Sequence, residues 1–260
     1  MSRVARFLAL AVVLLVGCDD RRIERVEWTV MGTVAALQWK GDCDSAALVA
    51  DVQDVFSNVE TLLNAHDPES ELSRLAKLPD SEVLSKCNPL VRPCYAAAFA
   101  LRDETGRMFN PRWQGFGRMD LGAIAKGFAV DRAAERIAGK CGKAKVLIDL
   151  GGNLKSVSGT WTTGITDPHA NSQSSQTPQT FELSAGMSCA TSGEYFRGSH
   201  IKDGRNGSDV ARTVASVTVV HAESAMLADG LSTVMFLLGK EKGEEFLRAH
   251  HPAAKAVWIK

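Results

Sequence analysis

The chain has 260 residues, and its 30 lysines and arginines are balanced by 30 aspartates and glutamates, so the formal charge at neutral pH is zero. That balance implies no basic face and argues against nucleic acid as a partner. Beyond the first residues no apolar run reaches membrane-spanning length, and the remainder suffices for one large or two small domains with a real core.

Arg3 and Arg6 precede the apolar run Phe7 to Val16, which reads as a secretory signal peptide over residues 1–17. About ten apolar residues are too few for a permanent span. The ending Leu15-Val16-Gly17-Cys18 resembles a bacterial lipobox. The resemblance implies cleavage before Cys18, acyl chains on its thiol and new amino group, and a lipid-anchored periplasmic protein spanning 18–260. Asp19 inclines the address toward the inner membrane rather than the outer. A secreted protein without lipid is the alternative. An oxidising compartment permits disulfides among Cys43, Cys87, Cys94, Cys141 and Cys189. Five is odd, so at least one thiol is unpaired or pairs between chains. Cys87 with Cys94, or Cys43 with either, are the candidate pairs. No Cys/His spacing suits zinc.

Val26 to Trp39 alternates as a strand or hairpin arm, broken at Met31-Gly32-Thr33. Asp44 to His66 repeats Leu48, Val52, Val55, Val59 and Leu62 at helical spacing. Ser70 to Leu75 predicts a short helical turn, Leu78 to Ser81 a loop, and Pro89 to Thr105 a helix closed by Gly106, with Pro93 tolerated near its start. A loop over Phe109 to Arg118 precedes a helix from Ala125 to Ala138, closed by Gly139. Lys145 to Leu150 reads as a buried strand with Gly151-Gly152-Asn153 as its turn. Trp161 to Thr166, Phe181 to Ser184, Met187 to Thr191 and Ala215 to His221 read as strands, with a polar loop over Asn171 to Gln179. Ala225 to Leu238 is an apolar helix, Lys242 to His250 an amphipathic one, and Val257 to Ile259 a closing strand. Strands and helices mix without strict alternation, which predicts an α+β fold with mixed or antiparallel sheets packed with helices.

Chemistry concentrates in a few clusters. Met119 to Asp131 joins an apolar segment, Gly122, Gly127 and Lys126 to a helix start. The glycines would let backbone approach a ligand, and the helix N-terminus would offer N–H groups to phosphate; an ordinary tight turn is the alternative. Neither a Walker loop nor a G-x-G-x-x-G fingerprint is present. Asp149-Leu-Gly-Gly-Asn153 ends a strand, and Ala190-Thr-Ser-Gly193 sets two hydroxyls beside a glycine. His200 lies beside the strand-like Ile201, and a structural histidine is the alternative to a catalytic one. Asp229 and Thr233 are four apart inside the most apolar helix, on one face. A buried Asp needs a partner, and a hard cation would suit a carboxylate, a hydroxyl and phosphates; an N-cap or salt bridge would also serve.

Taken in order, Met31-Gly-Thr33, Ser70-Glu-Leu-Ser-Arg74, Asp120-Leu-Gly-Ala-Ile-Ala-Lys-Gly127, Leu150-Gly-Gly-Asn153, Trp161-x-x-Gly-Ile-x-Asp-Pro168, Ala190-Thr-Ser-Gly193, His200-Ile201 and Ala228-Asp-Gly-Leu-Ser-Thr233 resemble the ApbE family of FAD:protein FMN transferases. The resemblance covers nearly the whole chain after residue 17 and implies a T-fold-like architecture. It implies Mg²⁺-dependent transfer of FMN from FAD to a Thr or Ser hydroxyl of an acceptor flavoprotein, such as a membrane flavin reductase subunit, with release of AMP. By position it places Met31, Asp120, Lys126, Ser192, His200 and Ile201 around FAD. The backbone carbonyl of Ala123 and the side chains of Asp229 and Thr233 fall around Mg²⁺. His200, Lys126 and Asp229 take the catalytic roles, with His200 as base. Asp203-Gly204-Arg205-Asn206-Gly207 departs from the family's Asp-Pro-x-x-Gly, and no flavin-covering aromatic stands near Ser70, a place Trp113 or Phe109 could fill. Hydrolysis of FAD to FMN and AMP, and a non-catalytic FAD-binding lipoprotein, are the alternative functions.

Overall fold

The computed structural model describes residues 22–165, 179–193, 201–210 and 214–259. The signal peptide, Cys18, the Asp167-Pro168 end of one motif and His200 lie outside the described residues.

β1 (Glu24–Val30) and β2 (Thr33–Lys40) form a hairpin whose turn is Met31-Gly32. Both turn residues have positive φ, 50° at Met31 and 66° at Gly32. That is the left-handed pair a two-residue hairpin requires. β2 pairs antiparallel with β3 (Lys145–Leu150), and β3 with β4 (Asn153–Ser158) across Gly151-Gly152. β4 was not foreseen, because Asn153 to Ser158 carries too little apolar alternation to stand out. β7 (Ser188–Gly193), β8 (Ser216–His221) and β9 (Ala254–Ile259) complete one antiparallel sheet in the order β1-β2-β3-β4-β7-β8-β9. Among the described residues β5 (Trp161–Ile165) and β6 (Gln179–Leu183) pair only with each other.

The period-two alternation splits this sheet into two faces. Ala35, Leu37, Trp39, Val146, Ile148, Leu150, Val217 and Val219 face the helices in the main core. Leu147 and Cys189 face the other way and form a second cluster with Trp161 and Leu183 of the β5–β6 hairpin.

α1 (Ser45–Leu63), capped by Asp44, buries Leu48, Val52, Phe56, Val59 and Leu63. It packs on α5 (Ala125–Ile137), which lies over β3 and β4 and against α6 (Ala225–Leu238), itself over β7 and β8. α2 (Glu71–Leu75) and α4 (Arg92–Glu104) fall where the sequence predicts them. The expected loop at Leu78 to Ser81 instead enters α3 (Asp80–Lys86), which buries Val83 beside α4. A helix of that length shows no periodicity of its own and depends on tertiary packing. α7 (Lys240–His250) closes the fold against α6 and β9.

The expected cysteine pairs are not the ones formed. Cys43 is bonded to Cys141, 98 residues away, with a Cα–Cα distance of 4.9 Å. The β2–β3 register sets Lys40 opposite Lys145, which brings the loop after β2 and the loop before β3 together. Cys87, Cys94 and Cys189 are free and buried. Burial pushes the Cys189 thiol up to about 12, so it is unreactive at neutral pH.

Candidate active site

The C-terminal end of β7, the loop before α5 with the first turn of that helix, and the second and third turns of α6 converge on one cluster. Asp229 is buried, and its Oδ2 accepts from the Gly127 backbone N–H at 2.9 Å. Lys126 Nζ lies 3.6 Å from the same oxygen and donates to the Gly122 carbonyl at 2.8 Å. Asp120 Oδ1 in turn accepts from the Gly122 N–H at 2.7 Å. Ser192, on β7, shares hydrogen bonds with Ser232 Oγ at 2.7 Å and Thr233 Oγ1 at 3.3 Å. Asp229 and Thr233, one helical turn apart, therefore present a carboxylate and a hydroxyl beside a lysine, with Ser192 adjoining. These are hard oxygen donors and a point cation, the groups that hold phosphate oxygens and a divalent ion. Among the described residues no group of three or more His, Cys, Asp or Glu could by itself cage a metal.

Two features of this place differ from expectation. Gly127 does not serve ligand approach. A Cβ there would meet the Ala225 carbonyl oxygen at 2.1 Å and Asp229 Cβ at 2.7 Å, so its lack of a side chain lets α5 and α6 touch. The N-terminus of α5 is also not free for phosphate in the way its sequence suggests. The Ala125 N–H bonds to the Leu121 carbonyl and the Gly127 N–H to Asp229.

Asp120 also lines a cleft of about 460 Å³, with His66, Pro68, Ser73, Lys77, Arg118 and Met119 among its walls. The wall beyond Asp120 is held by Arg112, which is buried. It donates to Asp80 at 2.6 Å and to the carbonyls of Ala76 and Leu78 at 2.6 and 2.7 Å. A larger cleft, about 640 Å³, lies by the disulfide between Lys40 and Lys145 and contains none of the candidate residues. Of these two clefts, the smaller is the one that Asp120 lines.

Of the other candidates, Met31 is half-buried in the β1–β2 turn, where its N–H donates to Glu60 Oε1 at 2.8 Å. Ala123 is half-buried on the loop leading to Lys126, and Ile201 is buried in the main core. Lys126, Asp229, Thr233 and Ser192 are thus brought together directly, and Asp120 joins them through Gly122. The loop after Ile201 explains its own departure from proline. The Gly204 N–H donates to the Met108 carbonyl at 2.8 Å, and a Cβ there would meet Asn110 Cβ at 2.4 Å. Proline offers no N–H and more bulk than this contact admits.

Sequence reasoning gave no role to Asp131. Its carboxylate accepts from Lys155 Nζ, Ser224 Oγ and the N–H groups of Ala225 and Met226, each at 2.9 Å. Ser224 caps α6 as well, accepting from the Leu227 N–H at 3.1 Å. A serine just before an apolar helical run was the available signal.

A helix-backed antiparallel sheet carrying this carboxylate–lysine–hydroxyl cluster defines an α+β protein. Solved structures share the fold. The flavin transferase ApbE from Vibrio cholerae superposes with TM-score 0.72 at 20% identity, covering 92% of this chain and 98% of that one. The flavinyl transferase ApbE of Pseudomonas stutzeri, apo form, gives 0.74 at 21%, covering 92% of each. The family model described as "ApbE family" matches residues 114–258. This chain belongs to the ApbE family. Among curated relatives, proteins named FAD:protein FMN transferase from Klebsiella pneumoniae and Haemophilus influenzae are 38% and 32% identical over 138 and 155 residues. Those matches cover 50% and 54% of this chain but only 42% and 43% of the relatives. The chain thus spans less than half the length of these relatives. A Vibrio cholerae protein of the same name is 26% identical, covering 91% of this chain and 88% of its own length.

Proposed function

We propose that this protein transfers FMN from FAD to a Thr or Ser hydroxyl of an acceptor flavoprotein and releases AMP. The observation that carries the reading is the convergence of Lys126, Asp229, Thr233 and Ser192 at the α5–α6–β7 junction. In the reaction the acceptor oxygen bonds to the FMN-side phosphorus, the pyrophosphate bridge breaks, and AMP departs with the bridging oxygen. Lys126 would bind phosphate oxygens whose charge rises in the transition state. Asp120, through Gly122, orients the loop on which Lys126 leans. Asp229, Thr233 and the Ala123 carbonyl are the oxygen donors that would hold Mg²⁺, an ion that takes one or two carboxylates and completes its shell with water and substrate phosphates. When bound, that ion would neutralise pyrophosphate charge. His200 is the acceptor's base in this reading, being the side chain whose ordinary range brackets neutral pH. In this reading Met31, Ser192, His200 and Ile201 would line the FAD site. The lipobox-like Leu15 to Cys18 supports a lipid anchor on the periplasmic side of the inner membrane, near membrane-bound acceptors.

The test mixes the chain with FAD, Mg²⁺ and a candidate acceptor domain, then reads the acceptor's intact mass. A gain of one FMN that a chelator abolishes is the expected result. Free FMN and AMP without acceptor gain would replace transfer by hydrolysis, and FAD left intact with several acceptors would leave a binding protein. The mass of the peptide beginning at Cys18 tests the anchor.

A further inference from the structure

α5 and α6 run antiparallel and touch along one ladder. Gly127 meets the 225–229 turn of α6, and Asp131, one turn further along α5, meets residues 224–226. The carboxylate of Asp131 receives four donors, two on each oxygen: Lys155 Nζ and the Ala225 N–H on Oδ1, Ser224 Oγ and the Met226 N–H on Oδ2. With Ser224 Oγ on the Leu227 N–H, the first three N–H groups of α6 are all taken by side chains. Lys155, itself only 9% exposed, adds a bond to the Glu223 carbonyl just before the helix. A carboxylate at a helix N-terminus is favoured by the helix dipole, and a buried one needs such donors and a counter-charge. The arrangement fixes α6 along its own axis and about it. Asp229 follows Ala225 by one turn and Thr233 follows by two, so whatever fixes Ala225 also fixes both.

We propose that Asp131 and Lys155 are positioning residues for the reaction: they set the axial seat of α6 and thereby hold Asp229 and Thr233 against Lys126 and Ser192. The proposal rests on the functional reading above only for its kinetic consequence. Its structural core is the bond from the Gly127 N–H to Asp229, which survives only if α6 keeps its seat.

The test uses the full chain with Asp131→Asn, and separately Lys155→Met, which keeps three of the four donors to Asp131. The first readout is amide exchange at Gly127 relative to Ala129 and Val130 on the same helix. A rise of about tenfold at Gly127, with its helical neighbours unchanged, is expected. The second readout is Mn²⁺ affinity in the presence of FAD, measured below the unfolding temperature of each variant. Residues that orient a metal ligand from behind are commonly worth 10–100-fold in affinity, and a loss of about tenfold is expected. A purely stabilising role would lower Tm and leave both readouts within twofold of the parent, and that result overturns the proposal. If the parent binds no Mn²⁺ with FAD, the functional reading fails, and Gly127 exchange alone decides the positioning. If Asp131→Asn does not fold, Lys155→Met decides by the same two readouts.

Discussion

Replacing Gly127 by alanine tests the packing logic of the site, because two effects of opposite sign compete there. In an exposed helix interior the change would stabilise by about 1 kcal/mol, since alanine is the better helix former. Here the new Cβ would stand 2.1 Å from the Ala225 oxygen, 2.6 Å from its carbonyl carbon and 2.7 Å from Asp229 Cβ. Two of these are backbone atoms of α6, which no rotamer change can withdraw. The helix must back away by about 1 Å to reach even a tight 3.0 Å contact. Overpacking of this kind costs about 1–3 kcal/mol. The Gly127 N–H bond to Asp229 is lost or stretched, and a bond to a charged group contributes about 1.5–3 kcal/mol. The net expectation is a loss of about 2–4 kcal/mol, a fall in Tm of about 5–10 °C for a domain of this size. Turnover falls further, because a displacement near 1 Å at a reacting site costs about 10²-fold. Urea unfolding and single-turnover flavin transfer on the same preparation measure both. A variant as stable as the parent or more so, with unchanged turnover, refutes the close helix contact and the role it gives Asp229.

Asp229→Ala abolishes Mg²⁺-dependent transfer; full activity at ordinary Mg²⁺ in the assay would remove Asp229 from the metal site. His200→Ala retains FAD binding by flavin fluorescence and slows transfer, and an unchanged rate would exclude it as the base. Loss of the Cys43–Cys141 bond, through Cys43→Ser with Cys141→Ser, releases a loop of 98 residues and costs up to about 4–5 kcal/mol in the chain-entropy model. Equal urea midpoints for parent and variant would exclude that contribution. Burial holds the His221 imidazole below its ordinary range, and its Nδ1 accepts from the Glu223 and Ser224 N–H groups at 3.1 and 3.0 Å. A folded-state value depressed below the unfolded one means the unfolded chain binds the extra proton first. The contribution is therefore complete above the unfolded value of 6.5 and is lost as pH falls through the folded one. Unfolding free energy measured from pH 7.5 downward shows this loss in the parent and not in His221→Gln; identical slopes would contradict it.

The hairpin at Met31-Gly32, the long helices α1, α5 and α6 and the α+β class were legible because each rests on local periodicity or a turn residue. So was the family, because its motifs recur in order along the chain. α3 and β4 were not, since neither has a pattern of its own: one forms because Val83 finds the α4 surface, the other because β3 and β7 supply its partners. Asp229 and Thr233 were readable as one helical face, and Lys126 as a nearby cation. Their meeting with Ser192 depends on β7 lying beside α6.

Sequence alone determined which candidate groups were available to this protein: Lys126, the carboxylates of Asp120 and Asp229, the hydroxyls of Ser192 and Thr233, and His200. Tertiary structure decided what each polar group does. It turned Gly127 from a presumed ligand contact into a helix–helix contact, gave Asp131 four donors from two segments distant in sequence, and paired Cys43 with Cys141 across 98 residues. The reason is that local conformation follows from neighbours within a few residues. Hydrogen-bond partners of buried groups, and the distances between thiols, are set by sheet register and helix seating, which a linear spacing does not contain.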